Sequence, residues 1–316
     1  VLRWLDALAR GAGRTIPVRL VKGAYWDTEI KRAQEQGLDG YPVFTRKTST
    51  DVSYLACARA LLLDHRHLSP QFATHNAHTV AWILEVGAKR RFEFQRLHGM
   101  GEELYETLLE QAGPNHHCRV YAPVGSYEHL LPYLVRRLLE NGANTSFVNR
   151  LVDADSPPES LVEDPIGTTQ QLKEVAHPRI PPPRRLFAPQ RQNSRGWNLA
   201  DGRELATLGS LLAVTAPGAW KAQPHVAGEL MAGEPRDVRN PADTTRLVGT
   251  VEFAGVEAAR RAIDAAAEFQ PEWNGTPVER RCAILRAAAD LYETETAALV
   301  ARCVAETGRT IADSLA

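Results

Sequence analysis

"VRLVKGAYW", Val18 to Trp26, alternates like a buried strand yet carries Arg19 and Lys22 and then breaks at Gly23. Successive side chains of a strand point to opposite faces, so Val18, Leu20 and Lys22 share one side while Arg19, Val21 and Gly23 share the other. One face therefore presents a guanidinium beside bare backbone. A buried arginine is costly unless something acidic or electron-rich meets it, and a missing side chain lets a flat group approach closely. That combination points to a cofactor.

Outward from this stretch, short apolar runs alternate with helical patterns through about residue 150, as expected of parallel β/α units. A helix over Leu2 to Leu8 comes first. Strands are expected at Ile16–Lys22, Gln71–Thr74, Phe92–Gln95 and Cys118–Tyr121, with helices near Trp26–Gln36, Asp51–Leu63, Ala77–Gly87, Gly101–Gln111 and Ser126–Asn141. Four such units fit half of an eight-fold barrel or most of a small doubly wound sheet, and spacing alone does not choose. Each strand runs into a polar or glycine-containing turn: "KGAYWD", "THNAH", "QRLHGMG" and "YAPVGS". In either architecture chemistry gathers at the C-terminal ends of parallel strands, so these turns would crowd one site.

The character changes from Asp153 to about Arg236, where "DSPPES" and "HPRIPPPRRLFAP" are rich in proline and poor in periodicity, as in a linker or extended arm. Within it "LADGRELATLGSLLAV" could form a short helix. "VRNPADTTRLVGTVEFA" then reads as a turn and two short strands, and Gly255 to Ala316 as two or three amphipathic helices. The 316 residues exceed one usual domain. With 37 Lys and Arg against 38 Asp and Glu, no broad electrostatic case exists for nucleic acid. Cys57, Cys118, Cys282 and Cys303 lie far apart, which fits a reducing cytoplasm better than a disulfide framework. No run is long and apolar enough to cross a bilayer. The chain opens on Val1, has its first methionine at Met100 and stops inside a helical pattern, so it is expected to be a fragment of a longer protein.

The strongest constellation is "YLVRRLLENG", in which Tyr133, Arg136, Arg137 and Glu140 fall on one helical stripe, with Ser126 and Gly142 as punctuation. Two guanidiniums beside a phenol suit a small carboxylic acid, because arginine holds a carboxylate in a planar fork. The plainer reading is an exposed face with Arg136 and Glu140 as a surface pair. His75, Asn76 and His78, with His98, His116 and His117, raise a metal-dependent barrel hydrolase, but regularly placed carboxylates are missing; "THNA" could instead meet a phosphate. Gly99 and Gly101 read as a tight connection, and Cys282 and Cys303 as packing residues.

Taken in order, "VRLVKGAYWDTEIKRAQ", "YPVFTRKTSTDVSYLACA", "FATHNAHT", "FQRLHGMGEELYE" and "CRVYAPVGSYEHLLPYLVRRLLENGANTSFVNR" resemble the proline dehydrogenase domain of the bifunctional proline utilization A flavoenzymes. "NPADTTRLVGTV", "AIDAAAEFQPEWNGTPVERRCAILRAAADLYE" and "AETGRT" look like the beginning of an aldehyde dehydrogenase domain. The resemblance implies an α/β chain in three parts. Residues 1–150 would be the second half of an FAD-containing (β/α)8 barrel, 151–235 an interdomain linker or arm, and 236–316 the start of the aldehyde dehydrogenase domain.

Residue by residue, the resemblance makes Arg19 the arginine facing the flavin, where positive charge stabilises electron density gained on reduction. Val21 and Gly23 would lay backbone against the cofactor. Thr45, Thr74, His75, Asn76 and Gln95 would surround the flavin and its phosphate and ribityl groups, with Trp26 close by and Glu140 an acidic cofactor-side position. Arg136 and Arg137 match the pair that holds the proline carboxylate, and Tyr25, Leu97, Tyr121 and Tyr133 those enclosing its ring. The implied activity is oxidation of L-proline to pyrroline-5-carboxylate, then NAD-dependent oxidation of glutamate semialdehyde to glutamate. A membrane quinone is the implied electron acceptor, reached by peripheral contact from the cytoplasm, in a homo-oligomeric parent. The family's substrate-contacting lysine and flavin-side aspartate belong to earlier strands. The aldehyde dehydrogenase cysteine, general base and NAD segment belong beyond Ala316. The fragment alone is therefore expected to bind FAD poorly and catalyse neither step; a noncatalytic scaffold is the remaining alternative.

Overall fold

The computed structural model describes residues 1–23, 25–112, 117–142, 163–214 and 220–316, with the side chains of 112, 139–142 and 214 outside the description. Two compact units form, Val1–Thr28 with Val43–Ile180, and Glu29–Pro42 with Pro181–Ala316.

From Leu2 to Gly142 the elements follow the alternating pattern: α1 (Leu2–Gly11), β1 (Ile16–Leu20), α2 (Trp26–Glu35), α3 (Lys47–Leu63), β2 (Leu68–Ala73), α4 (Ala77–Gly87), β3 (Glu93–Leu97), α5 (Glu102–Ala112), β4 (His117–Tyr121) and α6 (Tyr127–Gly142), all in the first unit except α2, which lies mostly in the second. The four strands pair in parallel in the sequential order β1-β2-β3-β4. A doubly wound sheet reverses its strand order and covers both faces with helices. Here the order does not reverse, and the core lies on one face. Leu20, Phe72, Phe94 and Cys118 fall in one register row, and this row packs with Ala9 of α1, Tyr54, Ala58 and Leu61 of α3, Val80 and Ile83 of α4 and Tyr105 of α5. A singly wound sheet with helices on one side is the geometry of a barrel wall. Phe72, Phe92, Phe94 and Tyr105 meet at ring separations of 5.2 to 6.4 Å, with Phe92 edge-on to both Phe72 and Phe94.

Several boundaries shift by one to four residues, and two of the shifts have a visible cause. Strand β1 stops at Leu20 rather than Lys22, because the ladder ends at the Leu20–Phe72 pair and Lys22 leaves it for Asp51 of α3, 2.5 Å away. Helix α3 starts at Lys47, a turn before Asp51, and the Thr50 hydroxyl donates back to the Arg46 carbonyl within that turn.

In the second unit, β8 (Glu234–Asn240) and β9 (Asp243–Phe253) make a hairpin whose turn is fixed by Asn240 Oδ1 accepting from Ala242 N at 2.8 Å. A short strand, β5 (Trp220–Ala222), pairs in parallel with β9, and β6 (His225–Val226) with β7 (Glu229–Leu230) makes a small ribbon. The proline-rich stretch thus contributes a strand to the hairpin sheet. The same stretch holds helices at Pro165–Gln170, capped by Asp164 and belonging to the first unit, and at Gly202–Val214 in the second, the latter where the short helix was expected. Four helices follow the hairpin, Val256–Gly275, Val278–Thr294, Thr296–Thr307 and Ile311–Leu315, one short helix more than the periodicity indicated.

Candidate functional site

The sheet face opposite the helices is polar. Arg19 reaches from β1 across to β3 and β4, donating from Nε to Gln95 Oε1 and from Nη2 to the Tyr121 hydroxyl, both at 2.8 Å. Gln95 in turn donates to Glu93 Oε1 at 2.8 Å, and Arg119 grips the same carboxylate in a two-bond fork at 2.9 and 2.8 Å. The Arg119 fork, despite some burial, holds the Glu93 carboxyl below its usual range.

At the C-terminal end of β1 the chain turns sharply, with Gly23 at φ 88° and Tyr25 at φ 62°. A side chain at Gly23 would be strained, yet a Cβ there would meet nothing within 4 Å, so the backbone faces open space. Lys22, on the apolar side, is tied to Asp51 and lies 5.0 Å from the Tyr54 ring centre, while Lys47 holds the other Asp51 oxygen at 2.7 Å. Burial lowers the Lys22 ammonium's pKa and Asp51 only partly opposes it; Asp51 is pushed up by burial but brought low by its two ammonium partners.

The end of β2 carries Thr74, His75 and Asn76. Asn76 caps α4 by accepting from Thr79 N at 2.9 Å, and its own N–H donates to Thr74 Oγ1 at 3.2 Å. The buried Tyr105 hydroxyl donates to the Thr74 carbonyl at 2.8 Å. His75 Nε2 accepts from the Leu97 backbone N–H at 3.2 Å, which leaves Nδ1 as the protonated nitrogen. Burial, and then the positive charges of Arg137 and Arg96, lower the His75 pKa to about 4, so the ring is neutral near pH 7. Gly101 packs on it: a Cβ there would lie 3.1 Å from His75 Cδ2.

Helix α6 is turned in an unexpected direction. Tyr133, Arg136 and Arg137 are half-buried, whereas Leu131, Leu134, Val135 and Leu138 are exposed, Leu138 to 71%. Amphipathicity alone would bury the leucines. The Arg136 guanidinium instead sits 5.3 Å from the Tyr25 ring centre and that of Arg137 5.3 Å from the Tyr133 ring centre. The plainer reading, a surface Arg136–Glu140 pair, rests on a side chain outside the described residues.

The structure thus brings Arg19, Gln95 and Tyr121 into one network, His75 onto Leu97, and Arg136 onto Tyr25. Val21 is exposed beside Gly23. Trp26 and Thr45 take other partners: Trp26 Nε1 donates to the Phe44 carbonyl at 2.8 Å, and Thr45 Oγ1 accepts from His177 N at 2.9 Å. Glu93, Arg119, Tyr105, Lys22 and Asp51 were not singled out as site residues from the sequence. Among the described residues no three His, Cys, Asp or Glu side chains converge as a metal site would require.

Comparison with known proteins bears on the family and the fold. Residues 1–150 match the proline dehydrogenase family model and residues 230–316 the aldehyde dehydrogenase family model. The chain is 46% identical over 329 residues to the bifunctional protein PutA of Escherichia coli, covering 100% of this chain and 25% of that protein. It is 43% identical to PutA of Rhizobium meliloti, over 100% of this chain and 26% of that protein. A crystal structure of bifunctional proline utilization A superposes with a TM-score of 0.77 at 45% identity, over 99% of this chain and 29% of that one. The chain spans about a quarter of the length of the curated relatives it matches.

Proposed function

From the premise that residues 1–150 belong to the proline dehydrogenase family and residues 230–316 to the aldehyde dehydrogenase family, we propose that this chain forms the proline-binding and flavin-facing wall of a proline dehydrogenase. In the complete gene product that activity would be joined to NAD-dependent oxidation of glutamate semialdehyde. The observation that carries the proposal is that α6 sets Arg136 against Tyr25 and Arg137 near enough to His75 to act on its charge, past the ends of β1 and β2, while its leucines stay exposed.

The residues present fit FAD. Gly23 offers backbone with open space before it, and Arg19 has donors left after Gln95 and Tyr121 are served. Thr74, His75 and Asn76, at the N-terminus of α4, would hold its polar chain, with Val21, Trp26 and Thr45 about the β1 turn and Glu140 on α6. Bound FAD would supply the hydride acceptor for the C5 hydrogen of proline.

On this reading Arg136 and Arg137 receive the proline carboxylate in a bidentate fashion. Tyr25, Leu97, Tyr121 and Tyr133 enclose the ring, exclude water and limit its orientation. Stacking of Arg136 on Tyr25 pre-orders both groups, so less freedom is lost on binding. The neutral, Nδ1-protonated His75 is a hydrogen-bond donor rather than a charge. The onward electron acceptor is a membrane quinone reached by peripheral contact; no helix among the described residues is long and apolar enough to cross a membrane.

The test is to purify the complete gene product and record its visible absorption before and after L-proline. A flavin band that bleaches with proline, and no longer does so in Arg136→Met with Arg137→Met, supports the assignment. A colourless protein, or a flavin indifferent to proline, overturns it.

A further inference from the structure

We infer that Glu93 is a positioning residue for Arg19, acting by fixing the orientation of the Gln95 amide. This deepens the proline dehydrogenase reading and rests on it. Three strands take part, and hydrogen-bond chemistry permits one arrangement. A guanidinium only donates and a carboxylate only accepts, so a glutamine between them satisfies both only with its oxygen toward the arginine and its nitrogen toward the acid. That is the arrangement observed: Arg19 Nε to Gln95 Oε1 at 2.8 Å, Gln95 Nε2 to Glu93 Oε1 at 2.8 Å.

Without an acceptor at position 93 the Gln95 amide is oriented from one side only, by Arg19 itself, and a flip that sets donor against donor is no longer opposed by the loss of a bond to the acid. Glu93 is well placed to resist this. Its side chain is only 20% exposed, and the Arg119 fork fixes both of its oxygens. The parallel register puts Gln95 directly opposite Arg119, so the whole chain of bonds lies on one sheet face and needs no loop to complete it. Tyr121 secures the other end of Arg19, which leaves Gln95 as the hold on Nε.

Glu93→Gln in the complete gene product tests this, because glutamine keeps the shape but can either donate or accept. The expected result is a flavin midpoint potential shifted to more negative values, as Arg19 loses its fixed position. With it, kcat for proline oxidation should fall about fivefold, near the worth of one hydrogen bond, with KM within about twofold of wild type. Loss of a negative charge acting through space would shift the potential the opposite way. A potential that is unchanged or more positive, or a change confined to KM, overturns the inference. Where Glu93→Gln does not yield a folded flavoprotein, Gln95→Met serves: it removes the acceptor of Arg19 Nε and should lower the potential in the same sense, and an unchanged potential there is equally fatal. Wild-type protein without a proline-responsive flavin would overturn the functional reading and this inference together. A responsive wild type with an unshifted variant overturns this inference alone.

Discussion

The two faces of the parallel sheet use the same strands in the same register for opposite purposes. Toward the helices, Leu20, Phe72, Phe94 and Cys118 form a row in which Phe72 and Phe94 are fully buried and make no polar demands. On the other side Arg19, Glu93, Gln95, Arg119 and Tyr121 are joined by hydrogen bonds of 2.8 to 2.9 Å. An apolar face draws its stability from area removed from water; a polar face gains little net stability and instead fixes where donors and charges stand. Stability and chemistry should therefore separate by face.

The largest effect expected is from Phe94→Ala, which removes a ring packed on three others and should cost the first unit about 4 kcal/mol. Arg119→Ala, one strand over on the opposite face, should cost less than about 1 kcal/mol, since the Arg119 side of its fork to Glu93 is largely exposed. Hydrogen-exchange protection of the β3 amides measures both. Equal losses would break the separation of faces. Tyr105→Phe comes next. It belongs to the apolar side but reaches through to the Thr74 carbonyl, so losing its hydroxyl should cost roughly 1.5 kcal/mol and loosen the turn that carries His75 and Asn76. Protection lost at residues 74–76 alone, with β3 unaffected, would sharpen the contrast by showing that this hydroxyl serves the site rather than the core.

How much of this was legible in the sequence follows the same division. Strands and helices of the first unit are readable because alternation and amphipathic spacing are local signals, and four strands fall within a few residues of their expected bounds. Spacing did not tell a barrel wall from a doubly wound sheet, since that depends on strand order and on which face the helices cover; the family resemblance alone pointed to the barrel. Arg19 and the stripe of Tyr133, Arg136 and Arg137 stood out as charges in apolar surroundings, but the inward turn of α6 ran against its own leucines. Glu93 in "FEFQ" looks like any exposed strand residue, and only the register that sets Gln95 beside it and Arg119 across from it gives it a role. Strand β5 was hidden for a related reason: three residues in a proline-rich stretch carry no period, and their partner β9 lies more than twenty residues further on.

His75 supplies a small effect, and one carried by charge rather than by packing. Its folded pKa of about 4 lies below the ordinary histidine value of 6.5, because burial and the nearby Arg137 and Arg96 disfavour the imidazolium. Above pH 6.5 the ring is neutral whether the chain is folded or not, and it contributes no pH dependence. As pH falls from 6.5 toward 4 the unfolded chain takes up a proton that the folded one refuses, so stability is lost across that window and the loss is complete below the folded pKa. Discounted for partial exposure, the loss is about 1 kcal/mol. His75→Gln, which can still accept from Leu97 N–H but cannot titrate, should flatten this component of the stability profile between pH 6.5 and 4 while leaving the value at pH 7.5 nearly unchanged. A slope as steep as wild type would mean that burial and the charges of Arg137 and Arg96 do not hold His75 neutral.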